Sequence, residues 1–439
     1  MSFEGEFASY EPLRRLLDSE KVKALQNRFK IRERIEESED FDKEIIDKNE
    51  LKVSNIQPDL VLAFDGSFLA AKAENGFPGA EFGYITVSSV LIDLKLVKSL
   101  EENQFIDPKE FRETEKASTI DSVFPGCNVI LDNEKSAKSS LRRALFEELK
   151  SNNTFSNGET LLDTFEYLFR IKREQFADGN LPKSPIEEFQ DEKMSYGYGE
   201  YTCPHSGEAL FSTDALRLHE LMSPGGSNGE MFGQIMSTLE KLWLVHFLRA
   251  FEQKGWLATF RRVAFIMDGP LAVFSTSSWL TKVINFELAR LNDLQKKING
   301  VDLLVFGIEK SGTFFNHFND IDTTKDGVSD KFPKQSAFLL NDNYIKKNII
   351  FSESTKPYGQ DTYFGRKLFY KLVSDFRKQY DLSILMVSHD IELMHHFADR
   401  MVFLDKTILC QGTPEEVLKN ELVIQSFGIM ALEKNAQAF

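Results

Sequence analysis

Two aspartates stand directly after short apolar stretches of this chain, and each is followed by a glycine. Asp65-Gly66 follows the run from Val61 to Phe64, and Asp268-Gly269 follows the run from Arg262 to Met267. Short apolar runs that end at a turn signal are typical of buried strands. Two such strands can bring two carboxylates to one sheet edge, the arrangement that a two-metal phosphodiesterase needs. Each Asp-Gly pair taken alone is equally a common turn signal.

A third acid belongs to the strongest helix pattern in the chain, predicted for Glu230 to Lys254. Apolar residues recur on one broad face of this helix, and Glu240 sits near that face. A carboxylate in such a position needs a partner or a metal ion, because burying an unpaired charge is costly. The alternative is an exposed helix residue that pairs with Lys241 or Arg249.

Three basic residues are candidates for phosphate contacts. Lys310 follows a third predicted strand, Val301 to Ile308, and a basic group at a strand end beside two acids suits a phosphate. Arg366 and Lys367 lie among aromatic residues in the stretch YGQDTYFGRKLFYK. Such a mixture contacts phosphates and stacks on bases. The alternative is that Lys310 is an ordinary surface lysine and that the other two form a solvated basic edge.

The elements that would position these residues alternate between strands and helices. A strand pair is predicted within residues 56–98, and residues 101–150 are predicted as loop followed by helix. The pattern predicts an α/β fold with a mixed sheet and flanking helices. We divide it into a helical N-terminal arm (1–50), a main domain (51–371) with a helical insertion at about 101–230, and a small α/β C-terminal tail (372–439).

Composition places the chain among ordinary globular proteins and disfavours several other classes. Its 439 residues are 42% hydrophobic and 28% charged, and no apolar run approaches the roughly 20 residues of a membrane span. The acidic N-terminus lacks the apolar core of a signal peptide. Three widely spaced cysteines fit a reducing, cytoplasmic location. The net charge of −15 disfavours a passive nucleic-acid coat but allows an enzyme with a local basic groove.

Five blocks in the chain together resemble the NurA nuclease family in its bacterial form. They are FDGSFLAAK…FPGAEFGYITVSSVLIDL, TDALRLHE, FIMDGPLAVF, GIEKSG and YGQDTYFGRKLFYK, in that order over roughly residues 1–371. A single DGS motif would be weak evidence for a family, whereas five blocks in the same order are a specific match. The resemblance implies an RNase H-like core and a nuclease that uses Mn²⁺ (or Mg²⁺) on DNA ends. It also implies a homodimer that works with a hexameric HerA-type translocase in DNA repair or defence.

The same resemblance implies which residues form the site. In that family one aspartate lies in the first DGS-type block, a glutamate lies on the helix before the second block, and another aspartate opens that block. These positions map to Asp65, Glu240 and Asp268. Glu252 competes for the glutamate role, because it also precedes the strand that ends at Asp268.

The stretch from residue 372 to about residue 429 departs from this family and resembles the C-terminal end of an ABC-transporter ATPase subunit. Ser388-His389-Asp390 matches the switch histidine of that family, yet the chain has no GxxxxGK[ST] phosphate loop. We therefore expect no ATP binding. The tail replaces the usual NurA ending with its late histidine, for which His389 is the candidate substitute. Two other functions stay open: a catalytically impaired DNA-binding or HerA-regulating subunit, and a remnant ABC ATPase subunit.

Overall fold

The computed structural model describes the chain in segments and divides it into two compact units, Met1–Leu372 and Val373–Phe439. The described residues are 19–28, 45–47, 49–50, 57–73, 80–101, 115–153, 158–176, 182–224, 227–322, 332–333, 335–371, 401–405, 407–413, 416–417 and 419–420. All of the predicted site residues except His389 lie within these segments. None of the helices in the described segments is long and apolar enough to cross a membrane.

The first unit contains helices and strands in alternation. Its helices are α1 (Glu20–Gln26), α2 (Leu94–Glu101), α3 (Ala137–Ser151), α4 (Leu161–Gln175), α5 (Gly229–Gln253), α6 (Trp279–Asn299), α7 (Thr313–Asp322) and α8 (Asp342–Asn348). Its strands are β1 (Ile45–Ile46), β2 (Leu60–Lys72), β3 (Glu81–Asp93), β4 (Glu115–Pro125), β5 (Glu200–Thr202), β6 (Ala209–Phe211), β7 (Val263–Asp268), β8 (Leu304–Ile308), β9 (Ala337–Leu339) and β10 (Leu368–Tyr370). The predicted α/β class is correct.

A mixed sheet of five strands, in the order β4-β3-β2-β7-β8, forms the centre of this unit. Strands β2, β3 and β4 are antiparallel neighbours, whereas β7 runs parallel to β2 and β8 runs parallel to β7. The β2–β7 pairing joins Leu60 to Val263 and continues as far as Phe64 and Met267. Strand β7 ends one residue later, while β2 continues to Lys72.

Alternation along β2 separates the two faces of this sheet. Leu62 and Phe64 are buried beneath α5, where the Phe64 ring lies 5.6 Å from the ring of Phe247. Asp65 and Ser67 are exposed and alternate with these residues, so they belong to the opposite face. Burial of the first face beneath α5 and its neighbours therefore fixes which way Asp65 points.

The prediction that the first strand ends in an Asp-Gly turn at Asp65 is wrong. Strand β2 passes straight through this position, with Asp65 opposite Ser88 and Gly66 opposite Val87. The pairing with β3 extends over all 13 residues of β2, from Leu60 to Lys72. The hydrogen bonds of this long ladder outweigh the local turn preference of Asp-Gly, which is a weak signal once tertiary pairing is available.

The prediction of loop and helix for residues 101–150 misses an edge strand. Strand β4 pairs with β3 along its length, so the insertion predicted as helical contributes to the central sheet. Ile120, Ser122 and Phe124 of β4 are buried while Thr119 and Asp121 are exposed. The polar residues on the exposed face and a buried serine obscure the apolar alternation that would have indicated a strand.

The N-terminal arm, predicted as helix over residues 10–50, is also partly different. Helix α1 lies in this range, but Ile45 and Ile46 form strand β1, which pairs with Phe338 and Ala337 of β9. Adjacent β-branched residues favour a strand once a partner edge is present. Strands β1, β9 and β10 form a small antiparallel sheet over a separate apolar cluster that includes Phe338, Ile345 and Phe369.

The second unit is described only in part. Strands β11 (Met401–Asp405) and β12 (Thr407–Gly412) form an antiparallel hairpin with an irregular register between Phe403 and Leu404. His389 lies outside the described residues, so its assignment stays a prediction.

Candidate active site

Asp65 and Asp268 occupy neighbouring positions on adjacent parallel strands. Each directly follows a residue of the last pair in the β2–β7 ladder, Phe64 and Met267. Neighbouring strands lie about 4.8 Å apart, and residues that follow a matched pair point to the same face. The two carboxylates therefore extend on the same side of the sheet from adjacent backbone positions, at the point where β7 ends.

Glu240 approaches the same point of β2 from helix α5. A Cβ atom on Gly66 would lie only 2.5 Å from Oε1 of Glu240 and 2.9 Å from Cγ of Met236. The missing side chain at Gly66 is therefore what allows the carboxylate to reach the strand. Glu240 is buried, so the alternative of an exposed helix residue is wrong.

The charge of Glu240 is strongly influenced by its surroundings. Burial raises the pKa of the Glu240 carboxyl, Lys241 opposes this shift, and the negative charges of Asp65 and Asp268 raise it further. Lys241 Nζ donates to Oε2 of Glu240 at 2.7 Å, and Lys241 is itself buried. Both aspartates thus repel the charge on Glu240, and the buried Lys241 offsets part of that repulsion.

Lys310 pairs with Asp268, the acid at the end of β7. Its ammonium group donates to Oδ2 of Asp268 at 2.8 Å, and both side chains are open to solvent. Lys310 follows β8, which is the parallel neighbour of β7, so the two strand ends place it beside Asp268. This cation can also reach an anionic ligand at the same sheet edge, because more than half of its side chain is exposed.

The three carboxylates offer the oxygen ligands that Mn²⁺ and Mg²⁺ prefer. Asp65 and Asp268 extend from matched positions on one face of the sheet, whereas Glu240 reaches Gly66 from the opposite face, beneath α5. The charges of both aspartates nevertheless act on Glu240 across this point of the sheet. Their side chains are not gathered as ligands, however: within the described segments, no three carboxylate, histidine or cysteine groups are placed to hold one metal ion. Glu240 is instead bonded to Lys241, and Asp268 to Lys310.

Glu252, the competing helix acid, lies at the C-terminal end of α5, whereas Glu240 lies in its middle. It is twelve residues from Glu240, or about 18 Å along the helix axis. Both of its carboxylate oxygens accept bonds from Arg290, at 2.8 and 2.6 Å, and this partner lowers the pKa of the Glu252 carboxyl. The structure therefore places Glu240, and not Glu252, beside the two aspartates.

Arg366 and Lys367 differ in their surroundings. Lys367 pairs with Glu309, and its ammonium lies 4.2 Å from the centre of the Phe314 ring and 4.4 Å from that of Tyr363. Burial lowers the pKa of this ammonium, and Glu309 opposes the shift. Arg366 is exposed on the same segment. Glu309, the partner of Lys367, is followed directly by Lys310, the partner of Asp268. Lys367 is thus linked to Asp268 through these two adjacent residues.

Two residues of the site escaped prediction in their present roles. The sequence indicates Lys241 only as a partner for an exposed Glu240, and Gly66 only as a turn residue. A signal for Lys241 does exist, because it lies between Leu239 and Leu242 in the most apolar part of α5. The role of Gly66 depends on the close approach of α5, which local sequence does not encode.

Comparison with known proteins gives one long match and several short ones. A NurA domain matches residues 59–385. The zinc import ATP-binding protein ZnuC of Ehrlichia ruminantium (strain Gardel) is 36% identical over 63 residues, 14% of this chain and 26% of that protein. ZnuC of Buchnera aphidicola subsp. Baizongia pistaciae is 41% identical over 64 residues, 15% of this chain and 27% of that protein. The chain thus spans about a quarter of the length of these curated relatives.

No solved structure matches this chain. The short matches are to ATP-binding transport proteins, the same class of protein that the C-terminal tail resembles in sequence. They cover too little of the chain to indicate the function of the whole protein. The NurA match, by contrast, covers about three quarters of the chain, including Asp65, Glu240, Asp268 and Lys310. The chain belongs to the NurA family of nucleases.

Proposed function

We propose that this protein is a metal-dependent deoxyribonuclease that processes DNA ends, with Asp65, Glu240 and Asp268 as its metal ligands. The observation that carries the proposal is the placement of Asp65 and Asp268 directly after the paired residues Phe64 and Met267. Glu240 supports it, because the charges of both aspartates act on this buried carboxylate. The order of the five strands, three antiparallel followed by two parallel, supports the RNase H-like fold that the family resemblance implies.

The residues of the site divide the work as follows. A bound Mn²⁺ or Mg²⁺ would activate water for in-line attack and stabilise the leaving oxyanion. Asp65 and Asp268 hold their carboxylates on rigid strand positions, which limits their movement. Glu240 supplies the third carboxylate once it turns from Lys241. Lys310 attracts the phosphate while it stays close to Asp268, and Arg366 adds charge further along the strand being cut.

The experiment is digestion of linear, end-labelled DNA by the purified full-length chain in Mn²⁺, in Mg²⁺ and in EDTA. We expect digestion only with metal. Asp65→Asn and Asp268→Asn should each reduce the rate of digestion by more than about 100-fold. Loss of a group that only supports a metal ligand typically costs up to that much, and loss of the ligand itself should cost more. Asp121→Asn is the matched control, because Asp121 is an exposed acid on β4 that bonds to Thr86 at 2.8 Å. Wild-type rates in either site variant would show that the ligands are assigned wrongly.

The second candidate is a DNA-binding or HerA-regulating subunit without full activity. It is favoured by one observation, the engagement of two of the three acids by lysines. DNA binding without digestion in any metal would support this candidate against the nuclease. The remnant ABC ATPase is less well supported, since the sequence has no phosphate loop and the import ATPases match over short stretches only.

The family resemblance also motivates a proposal on assembly and location. We propose a homodimer that works in the cytoplasm with a HerA-type ATPase hexamer, in DNA repair or defence. Sedimentation of the purified chain tests the dimer. Co-purification with a HerA-type hexamer tests the partnership, and a monomer that fails to bind the hexamer would contradict both.

A further inference from the structure

A cavity of about 750 Å³ lies where β9 and α8 meet the segment from residue 357 to residue 367. Leu339, Leu340 and Ile345 provide apolar walls, while Tyr358, Tyr363 and Arg366 line it from that segment. The volume lies within the range of about 300–1,000 Å³ that is typical of sites for small ligands. Aromatic rings and a guanidinium group in one concave site suit a planar, anionic ligand.

The segment that lines the cavity is hydrogen-bonded to the residues that follow Asp268. Val273 and Phe364 donate backbone bonds to Thr362 and Leu271, at 2.9 Å each, so the cavity segment runs alongside the residues that follow Asp268. A Cβ atom on Gly365 would lie 2.9 Å from a methyl group of Leu271, which shows how close the two segments are. The segment that lines the cavity is therefore packed against the chain that follows β7.

The charged residues that line the cavity favour binding of an anion at Arg366. Asp342 is engaged by Lys346 Nζ at 2.6 Å and by the backbone of Tyr358, and Lys367 is engaged by Glu309. Arg366 is exposed and has no carboxylate partner among the residues that the structure describes. The uncompensated cation thus lies at the exposed part of the lining, where a phosphate can reach it.

The aromatic part of the cavity is preorganised. The hydroxyl of Tyr358 donates to that of Tyr363 at 3.2 Å, and the two ring centres are 5.4 Å apart. Tyr358 also packs against Phe314, with 5.7 Å between ring centres. Rings held in this way lose little conformational entropy when a base packs against them, and such contacts tolerate any base because every base has a π-face.

We propose that this cavity binds an unpaired base of the DNA strand that is cut, with Arg366 on the adjacent phosphate. The inference rests on the proposed nuclease function and adds a subsite to it. An unpaired base fits better than a duplex, because a concave site of this size accommodates one nucleotide and not two paired strands. Lys367 in the lining pairs with Glu309, whose neighbour Lys310 pairs with Asp268, so a strand anchored in the cavity would lead towards Asp268.

The first test needs no substitution. Fluorescently labelled dT12 is titrated with the full-length chain in EDTA, which prevents cleavage, and the titration is repeated with one base removed at each position in turn. We expect one or two neighbouring positions at which loss of the base weakens binding about tenfold, the size of one stacking contact. A uniform response along the strand would overturn the proposal.

The second test uses variants of the cavity. Tyr358→Leu and Arg366→Ala should each weaken dT12 binding, and Tyr358→Leu should remove the difference between intact and base-free strands. Tyr370→Leu and Arg261→Ala are matched controls, because both residues are exposed and neither lines the cavity. Normal, base-dependent binding by both cavity variants would contradict the subsite.

The outcomes separate this inference from the function on which it rests. If the wild-type chain digests DNA while dT12 binding ignores base removal and both substitutions, the cavity proposal fails and the nuclease proposal stands. If dT12 binds with the expected dependence and no metal supports digestion, the nuclease proposal fails and the cavity stands as a binding site.

Discussion

Glu240 and Lys241, neighbours on helix α5, form an ion pair in which 2.7 Å separates Lys241 Nζ from Glu240 Oε2. Both side chains are almost fully buried, with 4% and 3% of their surface exposed. Removal of one partner from such a pair leaves an uncompensated buried charge. The pair therefore links the stability of the fold to the charge balance of the site.

Lys241→Met should lower the free energy of unfolding by about 3 kcal/mol in EDTA. This is the lower end of the range, roughly 3–5 kcal/mol, that is measured when one partner of a buried pair is removed. Added Mn²⁺ should restore part of the loss if Glu240 is a ligand, because the cation then supplies the missing positive charge. Urea unfolding with and without metal measures both effects. Lys282→Met is the control, since Lys282 pairs with Asp361 at the surface and should contribute at most about 1 kcal/mol. Equal stability of both variants in EDTA would contradict the argument.

Glu240→Gln should change the metal dependence of digestion, whereas Glu252→Gln should change the stability of the fold. The first should raise the Mn²⁺ concentration needed for digestion, because it removes a candidate ligand beside Asp65 and Asp268. The second breaks the pair with Arg290 and should lower stability while digestion keeps its metal dependence. Metal titrations of the digestion rate, together with thermal melts, separate the two. The reverse result would transfer the ligand role to Glu252.

Gly66→Ala should damage the site from the strand side. The added methyl group would lie 2.5 Å from Glu240 Oε1, so the carboxylate must move. Overpacking of this kind costs about 1–3 kcal/mol, which a thermal melt detects, and digestion should fall with it. Gly229→Ala is the control, because its nearest neighbour there would be 3.5 Å away. Unchanged digestion by Gly66→Ala would show that the position of Glu240 is unimportant.

Stability should fall on the acidic side of neutrality because of buried histidines. Burial lowers the pKa of His246 to about 4, and Nδ1 of this ring lies 2.8 Å from the hydroxyl of Thr164. The unfolded chain takes up a proton near pH 6.5, whereas the folded chain resists it until about pH 4. The contribution is therefore fully present above pH 6.5 and is lost as the pH falls towards 4.

His246→Gln should remove the part of the acid-induced loss of stability that His246 causes. For a pKa shift of this size, that part is about 3 kcal/mol of the free energy of unfolding. His219 has its pKa lowered to about 4 in the same way, so roughly half of the dependence should stay in the single variant. Urea unfolding at several values between pH 4 and 7 gives the two curves. Parallel curves for wild type and variant would show that His246 titrates normally in the folded chain.

The C-terminal tail gives two predictions, one on ATP binding and one on His389. Calorimetry should detect no ATP binding, because the backbone cradle and lysine of a phosphate loop are absent from the sequence. His389→Ala should lower the rate of DNA digestion if the histidine has been recruited to the metal site. An unchanged rate would leave it without a catalytic role, and micromolar ATP binding would contradict the first expectation.

The sequence was sufficient to find the strands that carry Asp65 and Asp268 and the helix that carries Glu240. Each lies in a strongly apolar segment, where burial leaves a clear periodic signal. The central position of Asp65 in β2 was not predictable, because it depends on a ladder with β3 that is longer than either apolar run. Strand β4 was missed for a related reason, since half of its residues face solvent or carry hydroxyl groups.

The partners of the acids were harder to predict than the acids themselves. Lys310 was expected at a phosphate and lies against Asp268, at 2.8 Å. Lys241 was expected at the surface, if it paired at all, and is buried beside Glu240. Both outcomes depend on side-chain directions set by tertiary packing, and the order of residues along the chain does not contain that information directly.

The parallel pairing of β2 with β7 has a consequence for how the protein is made. It joins Leu60 to Val263, so the ribosome must add about 200 residues between the two strands. At roughly 5–20 residues per second, this takes about 10–40 seconds, during which Asp65 is already synthesised and Asp268 is not. A nascent or truncated chain that stops before β7 therefore carries half of the acidic pair and cannot assemble the site. Synthesis itself delays the appearance of a DNA-cutting activity until most of the protein exists.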